Sequence, residues 1–353
     1  MGQRSDKLHS RDPRVRGLFI ALALAFLLAL ALPARGREQG TAIKPEPSSS
    51  ALLEVTDETG RRVKVPQPVR RIVSLAPSLT ETLYALGVQD RLVGVTDSCD
   101  YPPEARRKPR VGGPMNPSLE QVIALKPDLV VMAKTANRLE TVEALERLSV
   151  AVYGTDSHSV EDVLISTEQL AGLIGVQEEG AALVAGLRAR LDQLQRALGD
   201  RAPRRVLFVV WLDPLISAGP RSFVGDALRW AGAQTVIGTK QDWPHVSLEE
   251  VVRLQPEYLV FASSHPEQAS HDFQALRQKP GWRILEAVRK RRIALISDAV
   301  NRPAPRLIDA IEELARQLHP DAFPDKPGPK GKARPPHGIE AVGQVQEACA
   351  CGR

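Results

Sequence analysis

The chain is poor in the residues that build disulfide scaffolds, metal centres and redox sites. Among 353 residues there are three cysteines and seven histidines. Cys99 stands alone, and Cys349 and Cys351 flank a single alanine in a polar tail, which is too few and too awkwardly spaced for a disulfide framework. No CxxC or HExxH motif occurs, and no histidine pairs with another ligand-type side chain at metal-ligand spacing within one element. No GxGxxG follows a strand-like run, and there is no Walker loop and no GxSxG. These absences leave no candidate constellation for catalysis, no metal site and no cofactor of the protein's own. Aromatic residues make up only 4% of the chain, with four tryptophans, so any tryptophan in a loop stands out.

Charge of one sign is also lacking. The net charge of +5 is concentrated at the start, where residues 1–34 hold five basic residues (Arg4, Lys7, Arg11, Arg14, Arg16) against Asp6 and Asp12. Without them the balance falls to +2, which excludes a nucleic-acid footprint.

What is present begins with those first residues. A basic stretch, the uncharged apolar run 17–34 (GLFIALALAFLLALALPA) and a small-residue end at Ala34 form the pattern of a secretory signal. Residues 1–34 are therefore predicted to direct export and to be cleaved near Ala34, an uncleaved membrane anchor being the alternative. No cysteine ends the run, which argues against a lipid-anchored form. Residues 35–53 follow as a polar linker and 320–353 as a Pro-, Gly- and Lys-rich tail, both predicted disordered.

Between them the sequence repeats itself. SLEQVIALKPDLVV begins at Ser118 and SLEEVVRLQPEYLV at Ser247, 129 residues later. Self-similarity on this scale means one supersecondary unit used twice. The stretch from Gln177 to Leu198 separates the copies and carries Leu183, Val184, Leu187, Leu191, Leu194 and Leu198 at helical spacing. As a helix of some 22 residues it spans roughly 33 Å, the width of a small domain. Short aliphatic runs (71–76, 92–96, 128–132, 150–154, then 205–211, 258–262 and 293–297) alternate with helical stretches, the signature of mostly parallel sheets covered on both faces. A hairpin is read around Glu58-Thr59-Gly60. The expected architecture is an α/β protein of two similar lobes, 54–157 and 203–319, joined by connecting helices at 158–202, with a ligand cleft between the lobes.

Open α/β sheets bind ligands in loops beyond the carboxyl ends of their strands. The candidate positions there are Pro77 and Ser78, the 97–101 segment ending in Tyr101, the 134–137 loop, the 212–216 loop, 263–265, and Asp298 to Arg302. Trp211 and Trp243 sit at or beside such loops and are either plugs of the lobe or walls for a ligand; Trp230 lies on an apolar helix face. His245 and His265 fall in loops of the second lobe. Ser118 and Ser247 are N-caps, with Gln121 and Glu250 as capping-box partners. Glu120 and Glu249 then favour the positive helix end, or, being one per lobe, dock symmetrically on basic residues of a two-fold partner.

Five segments taken together and in order, RIVSLAPSLTETLYALG (71–87), LVGVTDSCDYPPEARRKPRVGG (92–113), NPSLEQVIALKPDLVV (116–131), WPHVSLEEVVRLQPEYLV (243–260) and RPAPRLIDAIEELA (302–315), resemble a periplasmic substrate-binding protein of ABC importers. The kind resembled is the helical-backbone family that serves cobalamin, haem and iron-siderophores, and within it DYPP, WPHVS and the 298–306 segment look most like the cobalamin branch. The resemblance implies a monomer in the periplasm with ligand held between two lobes on one rigid helix, and it assigns Glu120 and Glu249 to docking on the permease dimer. It implies a cobalamin-like corrinoid as ligand, stacked by Trp211 and Trp243 and hydrogen-bonded by Tyr101, Asp298 and Arg302. Two tryptophans of known cobalamin binders are replaced here, by Gly112-Gly113-Pro114 and Ala133-Lys134, which keeps haem (Tyr101 or His245 as axial ligand) and a ferric siderophore (held by Arg302 or Arg221) as alternatives. A two-lobed cleft enzyme and a membrane-retained sensor are the readings from other classes.

Overall fold

The computed structural model describes residues 51–263 and 276–323. An antiparallel hairpin comes first, β1 (Ala51–Thr56) pairing with β2 (Arg62–Gln67) from Ala51↔Gln67 to Thr56↔Arg62. The linker therefore ends earlier than expected: Ala51, Leu52 and Leu53 belong to the hairpin, because β2, whose Val65 pairs with Leu53 and whose Val63 pairs with Val55, has a core to bury against. Asp57 closes the turn. Its buried carboxylate accepts from the backbone N–H groups of Thr59 (3.0 Å) and Arg61 (2.9 Å), from the Thr59 hydroxyl (2.8 Å), and from Gly154 N–H (3.0 Å) on the neighbouring sheet.

The first α/β sheet has the order β4-β3-β5-β6, all parallel: β3 (Ile72–Ser74), β4 (Leu92–Val95), β5 (Leu129–Ala133) and β6 (Val152–Thr155). Helices α1 (Pro77–Ala85), α2 (Leu119–Ala124) and α3 (Leu139–Arg147) connect them. The second sheet runs β11-β10-β7, parallel, from β7 (Arg204–Leu212), β10 (Tyr258–Ala262) and β11 (Ile293–Ile296). Two short strands share the outer edge of β7: β8 (Leu215–Ser217), antiparallel, and β9 (Ala233–Thr235), parallel. The 212–216 loop read from sequence is thus the tight β7–β8 turn, built on Asp213 and Pro214. Its helices are α6 (Phe223–Trp230), α7 (Leu248–Leu254), α8 (Glu286–Arg289) and α9 (Leu307–Leu318). The helix expected over 282–289 is broken at Leu285, whose extended backbone separates a single 3₁₀ turn from α8. The tail begins with one more ordered turn, Pro320–Ala322.

The repeat is structural to the level of single bonds. Ser118 and Ser247 both cap their helices, accepting from Gln121 N–H (3.3 Å) and Glu250 N–H (3.1 Å). Both helices end at a left-handed residue before proline, Lys126 (φ 47°) and Gln255 (φ 45°), and β5 and β10 then start 129 residues apart. Even the arginine that ties each corner recurs, since Arg71 Nη2 donates to Leu125 O (2.6 Å) and Arg205 Nη2 to Leu254 O (2.7 Å).

Two antiparallel helices, α4 (Val160–Leu173) and α5 (Gln177–Leu198), join the sheets. Leu187, Leu191, Leu194 and Leu198 of α5 enter the core of the second sheet with Phe208 and α9. Leu170, Ala171, Leu173 and Ile174, at the other end of the pair, enter the core of the first sheet. Leu183 packs against both cores. Gly180 is what lets the two helices meet, because a Cβ there would lie 2.3 Å from Ala171 Cβ. The protein is therefore an α/β molecule of two similar lobes with mostly parallel sheets, pinned to one long helix.

Candidate functional site

The cleft between the lobes is a cavity of about 400 Å³. Asp100, Tyr101 and Arg106 line it from the first lobe, and Ser263, Ser297, Asp298, Arg306 and Glu313 from the second. The first group follows β4 and the second follows β10 and β11, so the parallel topology alone delivers these loops to one place. Local structure then fixes them. Ser297 Oγ accepts from Ala299 N–H (3.2 Å) to start a 3₁₀ turn over Asp298–Asn301, and Glu313 of α9 accepts from Ser297 N–H (3.0 Å).

The floor of the cleft is an ion cluster that crosses between lobes. Glu81 of α1, with only 3% of its side chain exposed, accepts from Arg306 Nε (2.9 Å), Arg306 Nη2 (3.0 Å) and Arg302 Nη1 (2.9 Å). Arg302 Nη1 also reaches Asp100 Oδ1 (2.8 Å), and its Nη2 lies 3.2 Å from Asp298 Oδ2. Arg306 rests 3.9 Å above the Tyr101 ring. Burial works against the charge on both guanidiniums, but the hydrogen bonds that Arg302 donates to Asp100 and Glu81, and that Arg306 donates to Glu81, outweigh it and hold both above the ordinary arginine value. Burial likewise pushes Asp100 up, and the bond and charge of Arg302 overcome that to hold it below the usual carboxylate range.

The structure places the residues read from sequence as follows. Tyr101 and Asp298 line the cavity, whereas Arg302 does not line it and is engaged by three carboxylates, of which Asp100 and Asp298 do. Pro77 opens α1 and Ser78 is buried beside it, its carbonyl accepting from Thr82 Oγ1 (3.0 Å). Neither lines the cavity. Trp211 and Trp243 lie on the same flank of the second sheet: β8 bridges them, because Trp211 pairs with Ile216 and Ile216 with His245. Trp211 is 62% and Trp243 42% exposed, the latter edge-on to Phe223 with centroids 6.1 Å apart. Extending the registers beyond Val209↔Phe261 and Ala262↔Ile296 puts Trp211 level with Ser263, one strand or about 5 Å away, and with Ser297, two strands or about 10 Å away. His245 lines a different hollow, bounded by 236–241 and α7. In the 134–137 loop, Asn137 is a buried clamp that donates to Leu75 O (2.9 Å) and Pro114 O (2.8 Å). Glu120 and Glu249 are exposed, and neither forms an ion pair among the described residues. His265, residues 1–50 and the Cys349/Cys351 pair lie outside the described residues, and among the described residues no helix is long and apolar enough to cross a membrane.

Sequence reasoning missed Glu81, Arg106 and Glu313, and it took in Asp100 and Arg306 only as members of the 97–101 and 298–306 segments without giving either a role. For Glu81 the one available signal was its position between Leu79 and Leu83 on the helix that follows the first strand. A carboxylate among buried leucines requires a cation.

Two α/β lobes on a shared helix, with an ion-floored cavity between loops from both, define a two-lobed substrate-binding protein. The chain belongs to the periplasmic binding protein family, whose model matches residues 72–300. It is 29% identical over 316 residues to the uncharacterized ABC transporter substrate-binding lipoprotein YvrC of Bacillus subtilis (strain 168), spanning 87% of this chain and 98% of that protein. It is 30% identical over 260 residues to the vitamin B12-binding protein of Vibrio parahaemolyticus, spanning 71% of this chain and 90% of that protein. Among solved structures it superposes on the periplasmic heme-binding protein BhuT in complex with two hemes, with a TM-score of 0.65 at 29% identity over 71% of this chain and 98% of that one. These relatives are binding proteins, and the role they share is that of the substrate-binding component of an ABC importer.

Proposed function

We propose that the protein is exported to the periplasm, captures a cobalamin-like corrinoid between its lobes and hands it to the permease dimer of an importer, with no reaction carried out in the cleft. The observation that carries the choice of ligand is the internal neutralisation of the cleft arginines. Arg302 and Arg306 are both satisfied by Glu81, Asp100 and Asp298, so a ligand bearing carboxylates would have to displace an internal partner before gaining an ion pair. A corrinoid rimmed with amides supplies donors and acceptors of no net charge, which suit a lining of alternating carboxylates, hydroxyls and guanidinium edges. The vitamin B12-binding relative supports the same choice.

A cavity of about 400 Å³ is near the lower end of the range for drug-sized ligands, so a macrocycle would extend beyond it across the mouth. Trp211, one strand or about 5 Å from the lining residue Ser263, and Trp243 beside it would lie under that extension and stack on it. Tyr101, whose ring face is already covered by Arg306, would present its edge and hydroxyl. Pro77 and Ser78, which do not line the cavity, would act by starting the helix that carries Glu81, and Glu120 and Glu249 would meet the permease. The haem reading keeps one specific support, the Tyr101 phenol at the cavity wall and the heme-binding structural relative. Calorimetry with cyanocobalamin, haemin and ferric siderophores decides. Cyanocobalamin is expected to bind with Kd below about 10 μM, a free energy beyond about −7 kcal/mol; tighter binding of haemin or a siderophore would replace the corrinoid.

A further inference from the structure

Glu81 holds the centre of the interlobe cluster without lining the cavity. It belongs to the first lobe and takes three hydrogen bonds from two arginines of the second, of which Arg306 lines the cavity and lies over Tyr101. We infer that Glu81 is a charge filter: by occupying Arg302 and Arg306 it sets the cleft to accept uncharged macrocycles and to reject those carrying carboxylate arms. This rests on the reading that the cleft is the ligand site, and it names a specificity-determining residue that acts through its partners.

The physical argument is one of exchange. A guanidinium fork matches a carboxylate bidentately wherever the carboxylate comes from. Arg306 gives Nε and Nη2 to Glu81, keeps Nη1 toward Ser297 Oγ (3.3 Å) and Asp298 Oδ1 (3.7 Å), and lays its plane on Tyr101. Arg302 gives Nη1 to Glu81 and Asp100 together. An incoming carboxylate meets two arginines with their forks occupied and two acids, Asp100 and Asp298, close by. It gains little and is repelled. With Glu81 neutral, Arg306 and Arg302 lose a buried counter-charge, and an external carboxylate at the cavity wall, which Arg306 lines, supplies it. The charges that face this group are Asp100 from the β4 loop, Asp298 and Arg302 from the start and end of the 3₁₀ turn, and Arg306 from the N-cap of α9; the filter is the balance among them.

The test uses one porphyrin ring in three forms that differ only in charge: two carboxylate arms, two amide arms, or two amine arms. Affinities are measured by fluorescence quenching for the wild type, Glu81→Gln, and the pair Arg302→Gln with Arg306→Gln, each verified as folded by circular dichroism. Wild type is expected to prefer the diamide. Glu81→Gln is expected to raise the affinity for the dicarboxylate relative to the diamide at least tenfold, and the double arginine variant to turn the preference toward the diamine. A folded variant that keeps the wild-type order overturns the filter and makes Glu81 a structural staple only. If Glu81→Gln does not fold, the arginine pair alone decides by the same criterion. Absence of binding of every ring by all folded variants overturns both the filter and the cleft reading, whereas failure of cyanocobalamin alone to bind wild type sinks the corrinoid assignment and leaves the filter standing or falling on the porphyrin ranking.

Discussion

Arg306 of the second lobe grips both carboxylate oxygens of Glu81 in the first, Nε to Oε2 at 2.9 Å and Nη2 to Oε1 at 3.0 Å. The pair is buried, with 15% and 3% of the two side chains exposed. Removing one member of a buried pair strands the other, which costs about 3–5 kcal/mol. Arg302 remains as a second partner of Glu81, so Arg306→Ala is expected to lower unfolding free energy by about 3 kcal/mol, measured by urea denaturation, and Arg306→Lys by less than Arg306→Ala but by a measurable amount because the fork is lost.

Acid stability follows from two aspartates. Asp57 is raised by burial but lowered more by the hydrogen bonds it accepts from Arg61, Thr59 and Gly154, and Asp100 is raised by burial and lowered more by Arg302. Their folded-state values lie below those of the unfolded chain. Their contribution is therefore complete above the unfolded aspartate value of about 4 and disappears as pH falls through the folded values. Stability against urea is expected to drop steeply below about pH 4. Asp57→Asn, which removes the stronger hub, should cost about 2 kcal/mol at neutral pH and flatten that acid slope.

Gly180 sets two principles against each other. Alanine is the better helix former by about 1 kcal/mol, yet a Cβ at this position meets Ala171 Cβ at 2.3 Å on the packed helix α4. Overpacking of this kind costs about 1–3 kcal/mol. Gly180→Ala is therefore expected to destabilise, seen as a lower thermal midpoint, whereas Gly186→Ala, where nothing lies within 4 Å, is expected to be neutral or stabilising.

The exposed tryptophans separate stability from binding. Trp211 is 62% exposed, so Trp211→Ala is expected to shift unfolding free energy by less than about 1 kcal/mol. If it stacks on the ligand, the same change should weaken cyanocobalamin binding at least fivefold, roughly 1 kcal/mol, with loss of part of the fluorescence quenching.

Glu120 and Glu249 have an analogous split. Each sits in the first turn of its helix, where a carboxylate contributes about 0.3–1 kcal/mol. The double alanine variant is expected to stay folded and to bind ligand with unchanged affinity while uptake in membrane vesicles falls at least tenfold; full uptake would leave the acids as helix-end charges.

The fold was legible because its signals are local or repeated. The copies at 118 and 247 carry their N-caps, their left-handed residues before proline and their strands in the same places, and each can be recognised within a few residues. The leucines of α5 announced themselves by spacing. The site was legible only in outline: strand ends pointed to Tyr101 and Asp298, whereas the bond that matters most joins residues 225 positions apart. No window contains both Glu81 and Arg306. Trp243 could be seen as a loop tryptophan, but its place beside Trp211 depends on the bridge from His245 to Ile216, which no local pattern encodes. The break at Leu285 was hidden because the apolar residues on either side keep helical spacing through it.

Leu183, half-buried on the long helix, packs against both cores at once, and a side chain in that position resists the halves swinging apart. Loading would then change the silhouette of the protein very little. A transporter reading it would have to tell full from empty by touch at the rim, where the loops and the guest itself are exposed, and unloading would mean prising the two halves against both that leucine and the buried grip of Arg306 on Glu81.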